Sequence, residues 1–262
     1  MLKPIKRLGQ NFLQDPNTIR KIVDALQAGE EDVVVEIGPG TGALTGPLSD
    51  KYKKLTALEI DTRAVELLKE KYPSVDTISG DVLDFDWEAF AIGQEVARIS
   101  VIGNLPYYIT SQILFSLLEA APRISEAVIM MQHEVALRLV AKPRTKEYGI
   151  LSVATQLACT PKLLFPVSRN VFYPRPDVKS AIVRLEFDPS ATTEIDHAGV
   201  RKIVRMAFNQ RRKTLRNSLS RITEETGRSL PDGVAGKRAE ELSPNDFVEL
   251  AQYLLGEVNE RS

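Results

Sequence analysis

Short β-branched runs alternate along this chain with segments whose apolar residues recur three and four positions apart, a pattern that predicts an open, mostly parallel α/β sheet. Val33-Val34-Val35-Glu36-Ile37, Leu55 to Asp61, Asp76 to Ser79, Ile99 to Ile102 and Ala127 to Met131 read as successive strands. The first is an almost unbroken apolar run, as a parallel strand covered on both faces requires. Asp15-Pro16 opens a helix carrying Ile19, Ile22, Val23 and Leu26, and further helices are predicted over Ala43 to Lys51, around Ala64, Leu67 and Leu68, from His133, and over Gly149 to Ala158. Leu163-Leu164-Phe165 and Ser180 to Phe187 complete the strands. In the last, Ile182 alternates with Arg184 and Glu186, which predicts an antiparallel edge with one less buried face. The charged stretch Lys142 to Tyr148 reads as a mobile loop. After Asp188-Pro189-Ser190 the strand pattern stops, and Val200, Ile203, Val204, Ala207 and Phe208 begin a set of helices. The expected organisation is a sheet domain over 1–188 and a small all-α domain over 189–262.

Charge changes this picture more than bulk composition does. The 34 Lys and Arg nearly balance 35 Asp and Glu, yet eight of the basic residues fall between Arg201 and Arg221 with no acid among them. A basic block confined to one stretch points to a polyanionic partner, whereas a spread surplus would serve only solubility. No apolar run approaches the length that spans a bilayer, and Met1 to Arg7 is followed by Gly9-Gln10-Asn11 where a secretory signal would have its apolar stretch, so a cytoplasmic protein is expected. A single cysteine, Cys159, and two distant histidines, His133 and His197, predict neither a disulfide nor a metal centre.

The candidate chemistry collects at the predicted C-terminal ends of the strands. Gly38-Pro39-Gly40-Thr41-Gly42 follows the first strand and precedes a helix, the plan by which backbone approaches a ligand closely. Its third glycine comes one residue early for a dinucleotide fingerprint and Pro39 removes an amide, which favours a cofactor with no phosphate at this loop and counts against a nicotinamide dehydrogenase. Glu59 lies 59 − 38 = 21 residues after Gly38, where a carboxylate can take both ribose hydroxyls. Asp81 suits an adenine amino group or, equally, a turn cap. Gly103-Asn104-Leu105-Pro106-Tyr107-Tyr108 supplies two acceptors aimed at one point, the Asn104 amide oxygen and the Leu105 carbonyl. Pro106 fixes the loop without a competing donor, and Tyr107 provides a stacking face. Such a group would hold a flat amino-bearing ring such as adenine. The plain alternative is a strand-to-helix turn with Asn104 as cap and the tyrosines as core; convergence of the glycine loop, Glu59, Asp81 and Asn104 on one edge weighs against it.

With Gly9-Gln10-Asn11-Phe12-Leu13, Glu36 to Gly42, Glu59-Ile60-Asp61, Gly80-Asp81, Asn104 to Tyr107, Val171-Phe172 with its prolines, and Phe208 to Arg216, the chain resembles the ribosomal small-subunit RNA adenine N6-dimethyltransferases. These are Rossmann-like class I methyltransferases that use S-adenosylmethionine. The resemblance implies cofactor contacts at Asn11, Leu13, Gly38, Glu59, Asp81 and Asn104, and a target base held by Asn104, Leu105, Pro106, Tyr107 and Phe172. It implies rRNA contacts at Arg211, Arg212, Lys213 and Arg216. The implied substrate is two neighbouring adenosines in the 3′-terminal hairpin loop of small-subunit rRNA, each methylated twice during assembly of the subunit, by a protein expected to be a monomer. One departure is Asp177-Val178-Lys179-Ser180, where members often read Val-Asp-Ser, which moves the acid that the resemblance would assign to loop closure. Other readings are an adenine methyltransferase acting on large-subunit rRNA or DNA, and a non-catalytic assembly factor on the same fold.

Overall fold

The structure, a computed structural model, describes residues 2–188 and 196–256. It divides into two compact units: residues 1–136 with 159–189, and residues 137–158 with 190–262. The first is built on a seven-stranded sheet. Its strands are β1 (Val33–Ile37), β2 (Lys54–Glu59), β3 (Asp76–Ser79), β4 (Ile99–Asn104), β5 (Ile124–Gln132), β6 (Cys159–Val167) and β7 (Ser180–Phe187). In space they run β3-β2-β1-β4-β5-β7-β6, with the first five parallel and β7 antiparallel to both its neighbours. The chain order reverses at β1 and β4, the place where open α/β sheets bind ligands beyond their strand ends.

The β-branched run of β1 is buried at every position because helices cover both faces of the sheet, leaving no solvent side for alternation. Helix Pro16–Ala25 forms as its sequence predicts. Asp15 caps it by accepting from the Thr18 amide at 2.7 Å, Pro16 occupies the first turn, and Ile22 and Val23 enter the core. That core gathers Leu13, Leu26, Val34, Leu48, Ile102, Val128 and Ile182 from strands far apart in the chain.

The sequence expectation for the last strand needs correcting. β7 is antiparallel but interior, lying between β5 and β6, and the edge falls to β6. The polar alternation that suggested an edge has another cause: Arg184 bonds Glu186 at 2.8 Å, and Glu186 also takes Lys162 of β6 at 2.6 Å, so the charges are paired across the ladder.

The second unit is helical, with Ile150–Ala158, His197–Asn209, Ser220–Thr226 and Pro244–Leu255 as its main helices. Val200, Ile203, Val204 and Ala207 occupy one face of His197–Asn209 and pack with Leu215, Phe247 and Leu250. Residues 137–158 belong to this unit and not to the sheet, a departure from the linear division at 188. The cause is Tyr148, whose ring is fully buried beside Phe208 and whose hydroxyl donates to the Leu242 carbonyl at 2.8 Å. The loop expected to be mobile is held at both ends: the Arg144 amide donates to the Glu240 carbonyl, and Arg211 donates to the carbonyl of Lys146. Tyr148→Phe should therefore destabilise the protein by about 1–3 kcal/mol, because a buried carbonyl loses its donor. Urea unfolding of the two proteins measures this, and a loss below about 0.5 kcal/mol would show that Leu242 finds another partner.

Candidate active site

The register of the central strands aligns the site. Ile37 of β1 is opposite Leu58 of β2 and opposite Gly103 of β4, so the next residues, Gly38, Glu59 and Asn104, emerge side by side. Glu59 in turn faces Ser79 of β3, which delivers Gly80 and Asp81. Close approach is obligatory here: a Cβ on Gly103 would stand 2.6 Å from the Ile37 carbonyl oxygen. These strand ends, together with Leu8 to Leu13 of the N-terminal arm, line one cavity of the first unit.

Glu59 is 5% exposed, and its two oxygens accept from the amides of Gly40 and Asp61, each at 2.9 Å. Burial raises its pKa, and those two amides pull the other way. A carboxylate offers about four acceptor sites, so two remain for a diol. The Gly40 amide is thereby committed to Glu59, which removes it as a phosphate donor. Gly40 itself has φ +57, and the Phe12 ring packs where its side chain would be.

The arm is locked onto the strand ends through Asp61. The buried carboxylate takes the side chain of Gln10 at 2.9 Å and two nitrogens of Arg63 at 2.7 and 3.0 Å, and Gln10 accepts from the Ile5 amide at 2.8 Å. Arg63 holds Asp61 well below the usual carboxylate range, at about 2. Sequence reasoning missed this lock; Gln10 and Asp61 lay within quoted motifs, but nothing local joins residues 51 positions apart.

Asn104 is oriented by the arm. Its side-chain nitrogen donates to the Asn11 carbonyl at 3.0 Å, and because that neighbour can only accept, the amide oxygen is turned the other way. Neither that oxygen nor the Leu105 carbonyl receives a hydrogen bond among the described residues. Leu105 is anchored through its own amide to the Met130 carbonyl at 3.1 Å, and Pro106 accepts from Thr110 and Ile109 at the start of the next helix. Tyr107 lines the cavity with its hydroxyl held by Ser180 of β7 at 2.6 Å, a contact no motif foretold.

Other predicted site residues fare differently. Asn11, Leu13, Gly38 and Asp81 line the cavity, and Asp81 also caps a turn through the Leu83 amide. Phe172 does not reach the cavity wall: it is 5% exposed, paired with Leu13 in a two-residue ladder and packed in the core. In the second unit Arg212, Lys213 and Arg216 are exposed without a carboxylate partner among the described residues. Arg211 is a structural pin, bonded to Glu240 at 3.0 Å and to the Lys146 carbonyl at 2.7 Å. Asp177 is exposed, and among the described residues its carbonyl meets Arg169. No cluster of three or more metal-ligating side chains occurs among the described residues.

Beneath the site lies Glu36, 1% exposed and bonded to the Thr45 hydroxyl at 2.6 Å. Burial, opposed by Thr45 and reinforced by the nearby Glu59, raises its pKa to about 8. A carboxyl whose folded pKa exceeds its unfolded value stabilises the fold fully below about pH 4.5 and loses that contribution as pH rises through about 8. Glu36→Gln should remove this share of the fall, so the variant gains on the wild type between pH 5 and pH 8 in urea unfolding. An equal difference at both pH values would show that Glu36 ionises normally.

Comparison with known proteins agrees with this geometry. The family model for ribosomal RNA adenine dimethylase matches residues 1–255. A ribosomal RNA small subunit methyltransferase A of Salinibacter ruber is 51% identical over 253 residues, covering 96% of this chain and 85% of the relative. Another, from Prosthecochloris aestuarii, is 50% identical over 215 residues, covering 82% of this chain and 80% of the relative. Among solved structures, a dimethyladenosine transferase from Plasmodium falciparum superposes with a TM-score of 0.76 at 26% identity, covering 91% of this chain and 95% of that one. The 23S rRNA methyltransferase ErmE gives 0.68 at 28%, covering 93% and 99%. With Gly38, Glu59 and Asn104 side by side at the strand ends, the family match over residues 1–255 and the 51% identical relative place this chain in the ribosomal RNA adenine dimethylase family.

Proposed function

We propose that this protein dimethylates the N6 amino groups of two adjacent adenosines in the 3′-terminal hairpin loop of small-subunit rRNA. The observation that carries the chemistry is the fixed Asn104 amide, whose nitrogen is committed to Asn11 and whose oxygen stands beside the unclaimed Leu105 carbonyl. An exocyclic adenine amine is a poor nucleophile because its lone pair is delocalised into the ring. In the first transfer, donating its two N–H bonds to Asn104 and Leu105 draws the nitrogen toward tetrahedral geometry and frees the lone pair; in the second, the one remaining N–H is donated to this acceptor pair. S-adenosylmethionine, held by Asn11, Leu13, Gly38, Glu59, Asp81 and Asn104, supplies when bound a methyl group on an electrophilic sulfonium. The protein's share is positioning, and no side-chain nucleophile is needed. The proton leaves to solvent after attack, when the nitrogen is cationic and acidic. Splaying an unpaired loop adenosine costs a few kcal/mol, which stacking on Tyr107 offsets. Phe172 joins that stack only if the ladder to Leu13 opens.

The sheet unit is the catalytic part and the helical unit the rRNA-binding part, through Arg212, Lys213 and Arg216 with Arg211 shaping the surface behind them. The substrate is an immature small subunit, met by a monomer in the cytoplasm; no helix among the described residues is long and apolar enough to cross a membrane. Greater identity to small-subunit methyltransferases than to the 23S enzyme supports this substrate over large-subunit rRNA. Labelled methyl incorporation into small-subunit particles, large-subunit particles and DNA separates these acceptors. Asn104→Ala should lower transfer by at least about 10²–10³-fold while the Kd for rRNA changes little. Full activity of that variant refutes the amide clamp.

A further inference from the structure

The second unit holds a feature outside the proposed rRNA ridge. On helix His197–Asn209 the apolar positions Val200, Ile203, Val204 and Ala207 face the core, which leaves Arg201, Lys202 and Arg205 together on the opposite side. With Arg221 they line a groove of about 680 Å³, far larger than a single small anion needs. Among the described residues that line it, four are cationic and one is a carboxylate, Glu225, which pairs with Arg221 at 2.7 Å and with Lys202 at 3.7 Å. Arg205 is exposed with no ion-pair partner among the described residues. Ser218, which also lines the groove, is 8% exposed, and its hydroxyl has no hydrogen-bond partner among the described residues.

From this geometry we infer that the groove is a second phosphodiester site, taking the backbone of an rRNA strand remote from the methylated base. Four residues of helix place Arg201 and Arg205 about 6 Å apart along the axis, comparable to successive phosphates of one strand. Side chains there carry point charges and amides, Asn209 and Asn217 among them, but no exposed aromatic, which suits backbone contact and not base reading. The inference rests on rRNA being the substrate, and its test separates the two.

The experiment measures Kd of the full-length protein for naked small-subunit rRNA across a potassium chloride series. Reversing charge with Lys202→Glu and Arg205→Glu together should weaken binding by about tenfold or more and reduce the slope of log Kd against log salt by about two, one for each lost phosphate contact. Glu225→Gln, which keeps hydrogen bonds to its neighbours but removes the groove's negative charge, should tighten binding by about two- to fivefold. A gain in one variant beside a loss in the other excludes misfolding as the cause. Unchanged Kd and slope in the double variant overturn the inference, as does weakened binding to intact small-subunit particles with naked rRNA unaffected, which would assign the groove to a protein partner. Failure of the wild type to methylate any rRNA would overturn the rRNA reading itself.

Discussion

In-register parallel pairing of β1 with β2 and β4 is the constraint on which the site depends. Pairing Ile37 with both Leu58 and Gly103 decides that Gly38, Glu59 and Asn104 leave the sheet in one row. Side chains alternate with a period of two, so a slip of one residue in β2 would turn Glu59 to the opposite face. Register is held by the buried β-branched run of β1, which has no polar face to offer, and by the Gly103 contact, where only a missing side chain lets the strands meet. The chemistry is therefore specified by packing that never touches a ligand.

The same row concentrates buried carboxyls. Glu36 and Glu59 both lie within the strand ends, and burial raises both pKa values. Desolvating two neighbouring acids opposes folding, and hydrogen bonds from Thr45, Gly40 and Asp61 offset only part of that cost. Asp61, just beyond Glu59 on the same strand end, shows the contrary solution, compensated by Arg63 and Gln10. The compensated carboxylate ties down the arm; the undercompensated ones border the cavity. Stability is thus spent where acceptors must stay available and recovered where a segment must stay in place.

How much of this was legible follows from the range of each interaction. Val33 to Ile37, the glycine loop and the 21-residue step to Glu59 are local patterns, and the sheet, its ligand edge and the order of its motifs followed from them. The interior place of β7 did not, because paired charges on a ladder imitate a solvent-facing alternation. Residues 137–158 looked like part of the sheet domain until Tyr148 was seen inside the helical core, a contact 94 residues away in the chain. Phe172 shared a motif with its prolines, yet burial against Leu13 depends on a ladder that links residues 13 and 172. Arg211, Arg212 and Lys213 are adjacent in sequence and alike in charge, and only the fold separates the pin from the exposed pair.

That dependence on distant contacts explains why an amide is the residue at the centre. In the proposed reaction position 104 must donate to the Asn11 carbonyl and accept from an amine on its other side, two demands of opposite sign within one small planar group. A carboxylate could accept from the amine but would repel the Asn11 oxygen, releasing the arm that lines the cavity. A hydroxyl has one donor and could meet Asn11, yet its acceptor would not project to the same point beside Leu105. An amide separates donor and acceptor by the width of a carbon, with both fixed in one plane. The arm thus makes the Asn104 oxygen point in one direction, and in the proposed reaction this would give the N-terminal residues a part in selecting an amine as the group to be methylated.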